Sequence, residues 1–207
     1  MVGRRAGILF VIAAPSGTGK STVARGVLQR VKDLEFSISY TTRPPRDGEE
    51  HGKHYHFVDR ERFDQLRGDG AFLESAEVFG NSYGTGLEET RKELGLGRDL
   101  LLDIDVQGAR QVKGGPIDAV SIMILPPDHA TLAARLHDRA SESEEQRTSR
   151  LAEAREELQE FDTFDYLVIN QELETSVSEV GAIVCAERRR TRRSAGDARR
   201  ILATFPD

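Results

Sequence analysis

Three observations predict an α/β fold for this chain. Short, near-continuous apolar runs recur at residues 8–14, 100–106, 119–125 and 166–169. Runs of that kind suit strands of a parallel sheet whose two faces are both covered by helices. Between them lie stretches with helical spacing, Val23, Val27, Leu28 and Val31 early on and Leu173, Val177, Val180 and Val184 near the end. A glycine-rich turn, Gly17-Thr18-Gly19, joins the first run to the first helical stretch. Strand and helix in alternation imply crossover connections and a parallel sheet.

Each element can be justified in order. The first run follows Arg4-Arg5 and so superficially resembles a twin-arginine signal. It feeds directly into the glycine-rich turn and is far shorter than the ~18–20 residues that span a bilayer, so it reads as a buried strand. Residues 21–31 follow as a helix. Residues 38–88 break the alternation: they are rich in Gly, Tyr, His and charge, with turn signals at Pro44-Pro45 and Asp47-Gly48, and read as an inserted, partly β module. After the second and third strands, Pro126-Pro127 opens a highly charged helical segment, 128–160, carrying Arg135, Arg139, Arg147, Arg150 and Arg155. The last strand and an amphipathic helix come next. The Arg-rich stretch 188–200 reads as a solvated terminal helix, because no aromatic side chain is interleaved with its charges.

Composition narrows the function. The chain has 207 residues, 29 Lys+Arg against 35 Asp+Glu, and a formal charge of −6. A net acidic protein lacks the basic face that duplex nucleic acid requires, yet it can hold a small anion in a locally basic cleft. Cys185, the single cysteine, excludes an intramolecular disulfide framework and a Cys-rich zinc site, and points to a reducing cytoplasm. It reads as a small buried hydrophobe in the last helix. His51, His54 and His56 cluster without a nearby cysteine, and zinc is not expected there. No stretch of the sequence is long and apolar enough for a membrane span.

The strongest motif is Ala14-Pro15-Ser16-Gly17-Thr18-Gly19-Lys20-Ser21-Thr22. It fits a phosphate-binding P-loop, with Ala14 where the first glycine usually stands. Small residues let successive backbone N–H groups curl around phosphate oxygens. Lys20 adds positive charge at the β and γ phosphates, Ser21 offers a hydroxyl to Mg²⁺, and the helix N-terminus favours anions. Asp103, at the end of Leu100-Leu101-Leu102, stands where a carboxylate would approach that metal ion. Asp105, two residues on, projects to the same side of the strand. Two such carboxylates are costly unless a cation or a ligand donor meets them.

Further motifs carry a more specific resemblance. Residues 37–46, Ser37-Ile38-Ser39-Tyr40-Thr41-Thr42-Arg43-Pro44-Pro45-Arg46, are followed by Gly48-Glu49 and by Gly52-Lys53-His54-Tyr55-His56-Phe57. Together they resemble the GMP-binding segment of guanylate kinases. Phe72-Leu73-Glu74 with Gly80-Asn81-Ser82-Tyr83-Gly84-Thr85 is similar to the same family, as are residues 102–108 and the stretch from Phe164 to Asn170. The resemblance spans roughly Gly7 to Val184, with several motifs in the family's order.

The resemblance implies roles. Arg43, Arg46, Tyr55 and Tyr83 would bind the GMP phosphate, for which two guanidinium forks and two phenol donors are chemically suited. Ser39, Glu74, Thr85 and Asp105 would surround guanine. A carboxylate accepts from guanine N1–H and the exocyclic amine, whereas adenine leaves it unpaired, a mismatch that can cost about 10⁴ in specificity. Arg43 and Arg46 read as a basic pair without nearby acidic partners, and therefore as a pair waiting for an anion. Ser16, Gly17, Thr18, Gly19, Lys20, Ser21, Thr22 and Asn170 would bind ATP, with Ser21 and Asp103 at Mg²⁺. Arg139 and Arg150, in a lid beginning near Leu132, Arg135 and Leu136, would join Lys20 and Arg43 in stabilising the transferring phosphoryl group. Arg139-Ala140-Ser141-Glu142 stands where the family usually has Arg-Gly-Thr-Glu.

The expected architecture is therefore α/β: a P-loop core with a parallel sheet flanked by helices (1–37, 89–127 and 161–207), an inserted mixed β/α GMP-binding module (38–88) and a helical lid (128–160). The expected activity is phosphoryl transfer from ATP to GMP or deoxy-GMP, in purine nucleotide metabolism, with ATP and GMP as partners and the oligomeric state, monomer or dimer, left open. Two other readings share the core: a P-loop kinase for another small molecule, against which Ser39, Glu74 and Asp105 argue, and a phosphopeptide-binding scaffold, which need not keep Lys20, Asp103, Arg139 and Arg150.

Overall fold

The structure, a computed structural model, describes residues 5–78, 80–137 and 144–206. Its centre is a parallel sheet built from β1 (Leu9–Ala13), β2 (Leu34–Phe36), β7 (Asp99–Ile104), β8 (Ala119–Leu125) and β9 (Tyr166–Ile169), in the order β2-β7-β1-β8-β9. β1 lies in the middle, with Val11 opposite Leu102 on one side and Ser121 on the other. That position explains its unbroken hydrophobicity, since alternate side chains enter two different cores. Ile8, Phe10, Ile12 and Ala14 pack with Val23 and Val27 of α1 (Lys20–Arg30) and with Val177, Val180 and Val184 of α7 (Leu173–Arg189). Leu9, Val11 and Ala13 pack the other way, against Val106, Ala109 and Val112 of α4 (Val106–Lys113).

The second strand ends earlier than its apolar run suggests. The sequence reading carried it to Val106, but β7 stops at Ile104 and Asp105 caps α4, its Oδ1 accepting from Gly108 N at 2.7 Å. Asp105 therefore does not continue the strand beside Asp103; the competition between an apolar run and a helix N-cap went to the cap.

A second, four-stranded sheet, β4-β3-β6-β5, comes from β3 (Tyr40–Thr41), β4 (His56–Phe57), β5 (Phe72–Val78) and β6 (Asn81–Gly86). α2 (Arg60–Gly68) packs Phe63 against Phe72, ring centroids 4.6 Å apart, and Asp59 Oδ1 caps it by accepting from Arg62 N at 2.7 Å. Gly84 is closely enclosed: a Cβ there would lie 3.0 Å from the Phe72 ring and 3.2 Å from the Phe63 ring, which would have to give by a few tenths of an ångström. α3 (Leu87–Gly95) returns the chain to the central sheet.

Residues after Pro126-Pro127 form α5 (His129–His137) and α6 (Glu144–Leu158), joined by a small core of Leu132, Leu136, Ala154 and Leu151. The terminal Arg-rich segment is only partly the solvated helix expected. α8 (Thr191–Leu202) buries no residue, but Arg188 donates to buried Asp99 at 2.7 Å and Arg193 to buried Glu187 at 2.6 Å. Cys185 also departs from expectation: it is exposed, on α7 rather than on the last helix. Val177, Val180, Val184 and Glu187 set the inward face of α7, and a residue one step past Val184 is turned about 100° from it.

Candidate active site

The loop between β1 and α1 is shaped by two glycines with left-handed backbones, Gly17 at φ +87° and Gly19 at φ +88°. Neither tolerates a side chain. A Cβ on Gly17 would sit 2.8 Å from Leu136, and one on Gly19 would sit 2.7 Å from Asn170 Nδ2. Thr18 is fully buried, its hydroxyl donating to Pro15 O at 2.9 Å. Gly19 caps α1 without a side-chain hydrogen bond. Thr22 N and Val23 N donate to Gly19 O at 3.0 and 3.1 Å, so the N–H groups that can meet an anion are those at the very start of the helix, with its dipole behind them. Ser16, Gly17, Thr18, Gly19, Lys20, Ser21 and Thr22 line one 380 Å³ cavity together with Arg25, Asp105 and Glu157.

Asn170 and Arg135 buttress this loop from behind. Asn170 Nδ2 donates to Thr18 O at 2.6 Å while its Oδ1 accepts from Ser176 Oγ at 3.0 Å. Arg135, on α5, donates to Thr18 O at 3.2 Å and to Asn170 O at 2.9 Å. The Asn170 amide is thus engaged with the loop's own backbone. Arg135 was legible as one charge in an Arg-rich helix at the opening of the expected lid; its bracing of the loop was not, because its partners are backbone carbonyls, which no side-chain motif records.

Lys20 reaches across to β7. Its Nζ lies 2.7 Å from Asp103 Oδ1 and also donates to Ile104 O. Both side chains are largely enclosed, and Asp103 Oδ1 is buried with that ammonium as its counter-charge. Ser21 stands exposed in the first turn of α1.

A second cavity, 340 Å³, opens on the other side of Lys20. Ser39, Tyr55, Glu74, Tyr83, Asp103 and Asp105 line it, along with Phe36, Ala76, Val78 and Ile104. Thr85 Oγ1 donates to Glu74 Oε1 at 2.6 Å and lies 3.3 Å from Ser39 Oγ. Glu74 is 4% exposed. Burial pushes its carboxyl up to about 7, helped by the Asp105 charge and opposed by the Thr85 hydrogen bond. Glu157, unforeseen from sequence, behaves alike: burial first, then Asp105 and Glu153, raise it to about 7.

Arg43 and Arg46 follow β3 in the turn at Pro44-Pro45. The absence of an acidic partner, expected from sequence, is contradicted. Glu49 takes Arg43 Nη2 on both oxygens at 2.9 Å and accepts from Arg46 N at 2.8 Å. Gly48, at φ +83°, turns the chain so that Glu49 comes back over the arginines. The Arg43 guanidinium lies 5.6 Å from the Tyr55 ring and 6.0 Å from that of Phe57. Arg46 is exposed. Arg150 stands half-buried on α6; Arg139, Ala140, Ser141 and Glu142 lie outside the described residues. Of the three histidines, His56 lies with its ring centroid 4.7 Å from that of Tyr40 and 5.6 Å from that of His51, while His54 Nδ1 accepts from Glu50 N.

Comparison with known proteins agrees with this layout. The family model described as guanylate kinase matches residues 7–187. A guanylate kinase of Oleidesulfovibrio alaskensis is 50% identical over 90% of this chain and 90% of its own. One from Sphingopyxis alaskensis is 45% identical over 98% of this chain and 94% of its own. The crystal structure of guanylate kinase from Anaplasma phagocytophilum superposes with a TM-score of 0.70 at 33% identity, covering 92% of this chain and 90% of that one. With a parallel-sheet core, a phosphate loop and a second cavity in the expected places, the chain belongs to the guanylate kinase family.

Proposed function

We propose that this protein transfers the γ-phosphoryl group of ATP to GMP or deoxy-GMP, forming ADP and GDP or deoxy-GDP, as a cytoplasmic enzyme of purine nucleotide metabolism. One observation carries the reading: Lys20 and Asp105 line both cavities, so the phosphate loop and the Glu74 pocket meet at a shared wall. Two nucleotides bound there would present their phosphates to each other across Lys20. Transfer in line then needs no covalent enzyme intermediate; the protein contributes alignment, charge and exclusion of water.

The residues divide accordingly. Ser16 to Thr22 cradle the ATP phosphates, with Asn170 and Arg135 bracing the loop. Lys20 leaves Asp103 to meet the β and γ phosphates. Glu74, in its ionised form, accepts from guanine N1–H and the exocyclic amine, and Ser39, Thr85 and Asp105 complete the base pocket. Arg43, Arg46, Tyr55 and Tyr83 hold the acceptor phosphate, and Arg139 and Arg150 complete the charge around the transferring group.

Magnesium fits the donors present. Ser21 and Asp103 are hard oxygen ligands beside the loop, and Mg²⁺ needs few protein ligands when phosphates and waters fill its shell. The described residues hold no cluster of three or more His, Cys, Asp or Glu side chains that could cage an ion by themselves. When bound, the ion supplies charge neutralisation between the phosphates.

The division into core (1–37, 89–127, 161–207), acceptor module (38–88) and lid (128–160) is supported by the second sheet, drawn wholly from the middle segment, and by α5 and α6 in the last. No helix among the described residues is long and apolar enough to cross a membrane. The test is a coupled assay of ADP formation with GMP, AMP, CMP and UMP in turn. GMP is expected to be the preferred acceptor; robust turnover of AMP or UMP without GMP would sink the proposal.

A further inference from the structure

We propose that Glu49 is a positioning residue that holds the Arg43 guanidinium ready for the acceptor phosphate. The inference rests on the reading of Arg43 as a phosphate ligand. A long arginine side chain on an exposed turn would ordinarily sample many rotamers, and fixing it on binding weakens the complex. Here it is fixed beforehand. Glu49 takes two N–H bonds from Arg43 Nη2 at 2.9 Å each, Pro44 O takes one from Nη1 at 2.8 Å, and the guanidinium rests over Tyr55 and Phe57. A guanidinium has five donors, so the remainder can be offered to phosphate oxygens while the ion pair stays closed.

Glu49 is itself held by its own turn, which separates a positioning role from simple competition. Its Oε2 accepts from Arg46 N at 2.8 Å, and its own N–H donates to Arg46 O at 3.0 Å. Gly48 makes the turn with a left-handed backbone and open space around it, so it serves conformation rather than packing. A carboxylate tied to the backbone in this way has no need to withdraw when an anion arrives. One side chain thereby ties the Arg43 guanidinium to the Arg46 backbone. The Arg43 pair, and after it the Arg46 N–H, lowers the Glu49 carboxyl below its ordinary value.

The test measures KM and kcat for GMP and for ATP, and the melting temperature, in Glu49→Gln, Glu49→Asp, Arg43→Lys and the double variants. Glu49→Gln removes the charge; Glu49→Asp keeps it but withdraws it by one methylene. Positioning predicts that both raise the GMP KM about tenfold or more, with kcat changed less than about threefold and with ATP KM and melting temperature unmoved. In the Arg43→Lys background, where the fork is already lost, either Glu49 change should add little. Tighter GMP binding in Glu49→Gln would make Glu49 a competitor of phosphate and overturn the proposal. So would a GMP KM within about twofold of wild type in both variants, or a loss shared equally by ATP and melting temperature. If Arg43→Lys itself leaves GMP binding unchanged, the reading of Arg43 fails first and the inference falls with it.

Discussion

Glu74 shows how much of a residue's chemistry depends on its surroundings. It is buried on β5, bonded to Thr85, and its carboxyl is raised to about 7, chiefly by burial. To accept from guanine it must be ionised, so guanine binding should strengthen as pH rises through about 7. Guanosine is the better probe, because the GMP phosphate titrates nearby: inhibition by guanosine should grow from pH 6 to 8 and lose that dependence in Glu74→Gln. Stability should move the opposite way. The folded state binds the Glu74 proton more tightly than the unfolded chain, so wild type loses stability between the ordinary glutamate pKa and about 7 as pH rises. Glu74→Gln is therefore expected to melt higher than wild type at pH 8, by on the order of 1–3 kcal/mol, and to show little gain at pH 5. Equal melting differences at both pH values would contradict this. The motif singled Glu74 out as a candidate, and the structure places it on the wall of the second cavity; its protonation was not legible, since that depends on burial among distant strands and on the Asp105 charge.

At the scale of elements, the phosphate loop was readable because its constraints are local: two glycines, a lysine and a small hydroxyl residue in a fixed order between strand and helix. What braces it was not. Arg135 belongs to α5, 117 positions along the chain from Thr18, and joins it through a backbone carbonyl. Arg135→Ala should raise the ATP KM by roughly tenfold and lower stability by about 1–2 kcal/mol, while GMP affinity stays within about twofold; calorimetry with each nucleotide separates the two. A matching loss for both nucleotides would show that Arg135 supports the fold at large. Asp105 teaches the converse. An apolar run from 100 to 106 suggested one strand, yet a capping aspartate ended it, because its side chain satisfies a helix N–H. α2 and α3 are polar apart from a few positions, Phe63 and Thr90 being their buried residues, so periodicity had little to register.

Over the whole molecule, the net charge of −6 conceals a local ordering in which cations meet buried carboxylates. Asp99 is the clearest case. It sits at the start of β7, 1% exposed, and receives Arg5 at 2.6 and 2.7 Å, Arg188 at 2.7 Å and Ile8 N at 2.8 Å. Burial alone would raise its pKa, but the two arginines and the N–H outweigh it and leave it below the ordinary value. The group ties the start of β1, the central sheet and the end of α7 together. Asp99→Ala should cost roughly 2–4 kcal/mol, less than a fully enclosed pair because Arg5 and Arg188 keep some contact with water. The stabilisation is present above the unfolded aspartate pKa and is lost as pH falls through the lower folded value. Denaturant melts at pH 7 and pH 3 should show the wild-type advantage shrinking in acid; an unchanged gap would refute the role.

By itself the sequence determined four of the five central strands, the phosphate loop and the family, since these lie in contiguous motifs whose spacing is set by local backbone geometry; β2, three residues long with only Leu34 buried, left no apolar run to read. Only the tertiary structure decided which charges meet. It paired Arg43 with Glu49, Lys20 with Asp103 and Arg188 with Asp99, turned Cys185 outward, and brought Glu157 to the phosphate cavity. The reason is physical: pairing and burial depend on distances across turns, sheets and helices, and a charge in a sequence carries no record of what folds against it.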